Sequence, residues 1–176
     1  MNLALLVVRV VVGVLFIGHG AQKLFGWFGG AGPQDTGQFF EGVGMRPGRA
    51  MAIMAGCAEL VGGVLFALGL LTPLGAALLS AVMLVAIWTV HRRNGLWVAE
   101  GGFEYNLVLL AALFAVTAAG AGDWSLDGLW NIDVANAGWA LAELAAAIVG
   151  AVVGPGFGRL AAGRAQPHDG IAATGS

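Results

Sequence analysis

MAIMAGCAELVGGVLFALGL, residues Met51–Leu70, is apolar or small from end to end except for Cys57 and Glu59. Twenty such residues are enough to cross a bilayer as a helix. Glu59 stands near the middle, flanked by Gly56, Gly62, Gly63 and Gly69. A carboxylate in hydrocarbon costs a few kcal/mol or more, so it calls for a partner or a task. The glycines flatten the helix surface and admit close neighbours. This segment is therefore expected to be a spanning helix packed by others, offering them one ionisable group.

The rest of the chain agrees. It has 176 residues, 59% hydrophobic and only 10% charged, and a mean hydropathy of +0.84. A soluble domain carries about 25% charged residues. The backbone of a lipid-embedded chain has to be satisfied inside helices or a closed barrel. The polar/apolar alternation of a barrel is absent, so the fold class is all-α, a polytopic membrane helix bundle. The net charge of −2 gives no nucleic-acid signal. A single cysteine, Cys57, excludes an internal disulfide, a CxxC redox pair and a cysteine-held cluster.

Outward from this helix, the first apolar run is Leu3–Gly20. Nothing basic precedes it and Arg9 lies within it, so it reads as a retained span rather than a cleaved signal. Residues 34–43 have the pattern of a short amphipathic segment, capped by Asp35 or Thr36, with Phe39 and Phe40 dipping into the interface; a loop is the alternative. Pro73 suits the first turn of a third helix over 73–91. A fourth covers 104–120. A polar connection carries Asp123, Asp127 and Asp133, and a fifth apolar run, 135–153, contains Glu143. Glu143 is either a second intramembrane carboxylate or a reason for this run not to cross fully. The organisation is thus a four-helix core over 1–130, a fifth transmembrane helix within 131–154 and a flexible polar tail over 155–176.

With five spans, Lys23, Arg46, Arg49, Arg92, Arg93, Arg159 and Arg164 fall on one side. The positive-inside rule then places the N terminus outside and the C terminus in the cytoplasm.

Two polar groups stand out. Arg9 and Glu59, counted along antiparallel helices at 1.5 Å per residue, come within roughly one turn of the same depth. The count predicts an intramembrane ion pair between them, locking the first helix to the second. A second group gathers at the cytoplasmic end: His19, Gln22 and Lys23 share a face of helix one by i, i+3 and i+4 spacing, Trp88 and His91 are i, i+3 on helix three, and Glu104, Tyr105 and Asn106 open helix four. Imidazoles beside an amine and a carboxylate can hydrogen-bond and protonate a quinone head group. The same residue types also anchor helices at the membrane boundary. One pair of histidines is thin support for a haem, and His19, His91 and Glu104 lack metal-ligand spacing, so no metal site is expected. Cys57 reads as small packing in an apolar setting.

The run Gly18-His19-Gly20-Ala21-Gln22-Lys23-Leu24-Phe25-Gly26 after Arg9, then Gly37-Gln38-Phe39-Phe40, Glu59 with Gly62-Gly63, and Gly69-Leu70-Leu71-Thr72-Pro73 together resemble the DoxX family of small bacterial membrane proteins. Glu104-Tyr105-Asn106-Leu107 and Gly120-Ala121-Gly122-Asp123-Trp124-Ser125-Leu126-Asp127 extend the resemblance to about residue 130. The resemblance implies a multi-pass protein of the bacterial plasma membrane with a four-helix core. Through similarity to the DoxD subunit of thiosulfate:quinone oxidoreductase, it implies quinone-linked redox chemistry with no covalently bound cofactor. Soluble redox partners, a superoxide dismutase and a sulfurtransferase, are implied likewise. The expected role is an accessory membrane subunit of a redox complex. The alternatives are a scaffold recruiting soluble enzymes, or a small-solute transporter with Arg9 and Glu59 lining a path.

Overall fold

The computed structural model describes residues 1–132, 134 and 136–164, and no strand forms among them. The helices are α1, Asn2–Phe25; α2, Gly32–Gly42; α3, Gly48–Leu68; α4, Thr72–Ala86; α5, Glu104–Ala119; α6, Leu126–Leu129; and α7, Ala137–Arg164. α4 runs on through a π-helical turn, Ile87–His91, and a 3-10 turn, Arg92–Asn94. The protein is an all-α polytopic helix bundle.

Chain termination follows local chemistry. Gly26 and Gly69 end α1 and α3 in the left-handed conformation, with φ of 69° and 63°, which glycine adopts without steric cost. Pro73 stands in the first turn of α4. α3 packs on α1 through glycines. A Cβ on Gly20 would lie 2.8 Å from the Gly56 carbonyl oxygen, and one on Gly63 would lie 2.8 Å from that of Gly13. On another face, a Cβ on Gly62 would meet Leu79 of α4 at 2.9 Å. Such spacing lets backbones approach where no hydrophobic effect drives helices together.

α1, α3, α4 and α5 close a ring, and α7 lies against α4 and α5. The core inside the ring is built on Phe16, Phe66, Leu79 and Leu113. The amphipathic segment is the helix α2, crossing the start of α3 so closely that Gly37 and Gly48 leave no room for a side chain between them. Phe40 turns inward with Met45 and Met51, whereas Phe39 stays exposed.

Among the described residues, four helical segments are long and apolar enough to cross a membrane: Asn2–Phe25, Gly48–Leu68, Thr72–Asn94 and Ala137–Gly154. The fifth apolar run therefore meets the requirement. It is α5, with 16 residues, that is short, about 24 Å at 1.5 Å per residue. α7 also continues to Arg164, past the point where a flexible tail is expected; Gly154-Pro155-Gly156 does not end it. Asp133 and residues 165–176 lie outside the described residues.

Because α1, α3 and α4 alternate in direction, Lys23, Arg46, Arg49, Arg92 and Arg93 gather at one end of the bundle, the basic end. The opposite end is closed by the segment 120–132. There Asn2 donates to Asp123 at 2.6 Å. Asp127 caps α4, accepting from the Leu71 amide at 2.7 Å, the Thr72 amide at 3.0 Å and the Thr72 hydroxyl at 2.7 Å.

Candidate functional site

The expected Arg9–Glu59 ion pair does not form. Glu59 is paired instead with Lys23, whose ammonium donates to both carboxylate oxygens at 2.8 and 2.7 Å. Arg9 is fully buried. It donates to the Trp124 carbonyl at 2.5 Å, and its guanidinium lies directly over Gly69, where a Cβ would overlap it. Gly69 is about ten residues beyond Glu59 on α3, roughly 15 Å along the axis.

The first reason is helix register: Gly13 packs on Gly63 and Gly20 on Gly56, which sets Arg9 near the level of Gly69 rather than that of Glu59. Side-chain direction adds to it. In a helix the Cα–Cβ bonds tilt toward the N terminus. Arg9 therefore reaches toward the α1 N terminus, and Glu59 toward the α3 N terminus, which is the basic end. In antiparallel helices these two point apart. Lys23, nearer the basic end on α1, reaches back into the bundle, and Glu59 reaches out to meet it. Arg9 is left under the 120–132 segment, where the Asp127 carboxylate offsets part of the cost of burying its charge. Its Nε and Nη1 have no partner among the described residues.

The Lys23–Glu59 pair lines a cavity of about 580 Å3. This lies within the 300–1,000 Å3 range of small-molecule sites. Its walls come from α1, α2, α3, α4, α5 and α7, and its body is apolar, lined by residues such as Met51, Met54, Leu78 and Leu109. The polar lining is confined to Lys23, Glu59, His19, Thr89, His91, Tyr105 and Asn106. It opens to the outside of the bundle.

Each polar group is oriented. Gln22 donates its amide nitrogen to the Phe28 carbonyl at 3.4 Å, which turns its oxygen to His19 Nδ1 at 3.1 Å. His91 Nδ1 lies 2.8 Å from the Gly101 carbonyl. A carbonyl only accepts, so that nitrogen carries the proton, and Nε2 is the atom left for the cavity. The Asn106 amide donates to Met83 Sδ at 3.2 Å, and the Thr89 hydroxyl donates to the Val85 carbonyl at 2.8 Å.

Of the boundary residues singled out in the sequence, the structure brings His19, Lys23, His91, Tyr105 and Asn106 onto this cavity. Gln22 only orients His19. Trp88 faces elsewhere. Its i, i+3 relation to His91 assumes an α-helix, but both lie in the π-helical turn, whose wider coil separates them. Trp88 is exposed and carries the Arg92 guanidinium 3.9 Å above its ring centre. Glu104 is also elsewhere, accepting from the Val98 amide at 3.0 Å. The carboxylate of the cavity is Glu59. Arg9 does not line it, so the path shared by Arg9 and Glu59 is not present.

Other readings resolve as well. Cys57 is exposed on the bundle surface rather than packed inside. Glu143 is buried between α7 and α4, toward the Ser80 hydroxyl. No group of three or more His, Cys, Asp or Glu residues suited to a metal ion occurs among the described residues.

A small polytopic helix bundle with a largely apolar cavity and few polar lining groups defines the class of membrane protein. The chain belongs to the DoxX family, whose model matches residues 4–92. A Bacillus subtilis (strain 168) protein named "Putative oxidoreductase CatD" is 33% identical over 112 residues, covering 64% of this chain and 77% of that protein. "Uncharacterized membrane protein Rv3486" of Mycobacterium tuberculosis is 32% identical over 130 residues, 68% of this chain and 77% of the relative. A Haemophilus influenzae protein is 32% identical over 126 residues, 68% of this chain and 84% of the relative. No solved structure matches.

Proposed function

We propose that this DoxX-family chain is the membrane subunit of a redox complex and binds a quinone in the cavity. One observation carries the reading: a largely apolar chamber whose few polar lining groups include the Lys23–Glu59 pair, two histidines and Asn106. An isoprenoid tail fits the Met- and Leu-lined body, and a dicarbonyl ring fits the polar lining groups. Lys23 and Asn106 supply donors to the ring oxygens, and each histidine Nε2, the acceptor in the neutral ring, donates there only once the imidazole has taken up a proton. Reduction of a quinone takes two electrons and two protons. His19 and His91 line the cavity and are the side chains placed to deliver those protons. The chain has no motif for a redox cofactor of its own, so the electrons come from a partner. The name of the Bacillus subtilis relative supports an oxidoreductase setting. The basic end is then the cytoplasmic one, where soluble enzymes such as a superoxide dismutase or a sulfurtransferase dock.

The test is to purify the chain in mild detergent, extract it with organic solvent and identify quinones by mass spectrometry. Saturable binding of a short-tailed quinone, weakened at least tenfold by His91→Ala and by Asn106→Leu, is expected. Absence of both extracted quinone and saturable binding refutes the proposal. A scaffold role is favoured by one feature, the exposed cluster Phe25, Trp27 and Phe28 at the basic end. It predicts co-purification of a soluble protein that survives His19→Ala and is lost with Trp27→Ala and Phe28→Ala.

A further inference from the structure

A second cavity, of about 690 Å3, opens between α4, α7 and the α2–α3 connection. Met45, Val85 and Thr89 line both cavities and form the partition between them. The two differ in chemistry. The second has apolar walls, Leu84 and Ile87 on one side and Ile148, Ala151 and Val152 on the other, and a rim that carries Trp88, Arg92 and Arg93. Among the described residues no carboxylate lines it.

Arg92 is held in place at this rim. Its Nε donates to the Trp88 carbonyl at 2.7 Å, and its guanidinium carbon stands 3.9 Å over the Trp88 ring. These contacts use one edge and one face of the guanidinium. The terminal nitrogens make no hydrogen bond among the described residues. Those nitrogens are the pair that grips an anionic oxygen bidentately. The π-helical turn produces this arrangement, since it directs Trp88 to the second cavity while Thr89, Val90 and His91 line the first.

We propose that this crevice is a binding site for an anionic phospholipid, with the phosphate on Arg92 and Arg93 and an acyl chain along the α4–α7 seam. The charge at the rim selects an anion. The apolar walls below it select a lipid over a free phosphate, because Ile148 and Val152 continue onto the exposed face of α7. Trp88 lies at the level where aromatic residues meet headgroups. Basic pockets between spanning helices are suited to such headgroups. The site is separate from the candidate quinone cavity and does not depend on it.

The experiment uses the full chain in phosphatidylcholine nanodiscs doped with phosphatidylglycerol, read by native mass spectrometry after transfer to detergent. One phosphatidylglycerol per chain should be retained in preference to phosphatidylcholine. Arg92→Gln with Arg93→Gln should reduce retention at least tenfold. Arg46→Gln with Arg49→Gln removes the same charge from the same end, outside the cavity, and should change retention less than twofold. Ala151→Trp fills the crevice with both arginines intact and should also abolish retention. Equal losses from the two arginine pairs mean diffuse surface attraction and overturn the proposal. So does unchanged retention in Ala151→Trp, or competition by millimolar inorganic phosphate. A folding failure of the Arg92/Arg93 variant leaves Ala151→Trp to decide.

Discussion

Lys23→Met tests the geometry of the site most directly. The substitution keeps most of the side-chain volume and removes the ammonium that holds both Glu59 oxygens at 2.8 and 2.7 Å. The partners are unequally covered: the Glu59 side chain is 3% exposed and that of Lys23 20%. Losing Lys23 strands a carboxylate that has nowhere to go. Losing the Glu59 charge leaves an amine close to the membrane boundary, free to reach outward. Breaking a buried pair by removing one member costs about 3–5 kcal/mol, and partial exposure of Lys23 places Lys23→Met near the lower end, at about 3 kcal/mol. Glu59→Gln keeps an acceptor for Lys23 and should cost about 1 kcal/mol, the size of one ordinary hydrogen bond. The double variant has no stranded charge and should cost about 2 kcal/mol, a coupling of similar size within the range for contacting residues. Hydrogen-bonded pairs in a membrane bundle average only about 0.6 kcal/mol, so the coupling separates an ion pair from an ordinary polar contact. The assay is reversible unfolding of the purified chain in mixed micelles by SDS, followed by circular dichroism. Additivity of the two substitutions within about 0.5 kcal/mol, or a larger loss from Glu59→Gln than from Lys23→Met, refutes the reasoning.

Two further outcomes follow from the packing. Gly69→Ala places a methyl on the Arg9 guanidinium in a residue with φ of 63°; displacing that buried charge should cost at least about 3 kcal/mol, measured in the same unfolding assay. Gly20→Val forces α1 from α3, since a Cβ there already lies 2.8 Å from the Gly56 oxygen and the Leu60 nitrogen; a loss of about 1–3 kcal/mol is expected, against almost none for Gly18→Val, where nothing lies within 4 Å.

The apolar runs, the glycine-rich face of α3 and the gathering of basic residues at one end were all legible in the sequence, because composition over a window decides whether a helix enters lipid. Side-chain direction was harder to read. Counting from the helix ends gives Arg9 and Glu59 similar axial positions, but the glycine contacts set α1 on α3 in a register that puts Arg9 near the level of Gly69, and the Cα–Cβ tilt carries the two side chains further apart. The i, i+3 pairing of Trp88 with His91 failed for a related reason: one π-helical turn redirects every side chain within it, and no residue type announces such a turn. Asp127 looked like one of three loop acids. Its role as the cap of α4 depends on a contact across about 55 positions of chain, which local patterning does not carry.

Directional convergence also separates the two buried cations by role. On antiparallel neighbours, groups that each lean toward their own N terminus meet only if each starts on the far side of the other. Lys23 and Glu59 satisfy that condition and Arg9 and Glu59 do not. Arg9 consequently lies beneath a closed segment, fully buried and held by the Trp124 carbonyl, where it fixes how residues 120–132 seat on the bundle. Lys23 and Glu59 meet instead at the wall of a cavity that opens outward, beside two histidines and an asparagine. A charge pair that only fixed helix register would need no such chamber. The placement of Lys23–Glu59 on the wall of a largely apolar space is therefore the reason to seek the ligand there and not at Arg9.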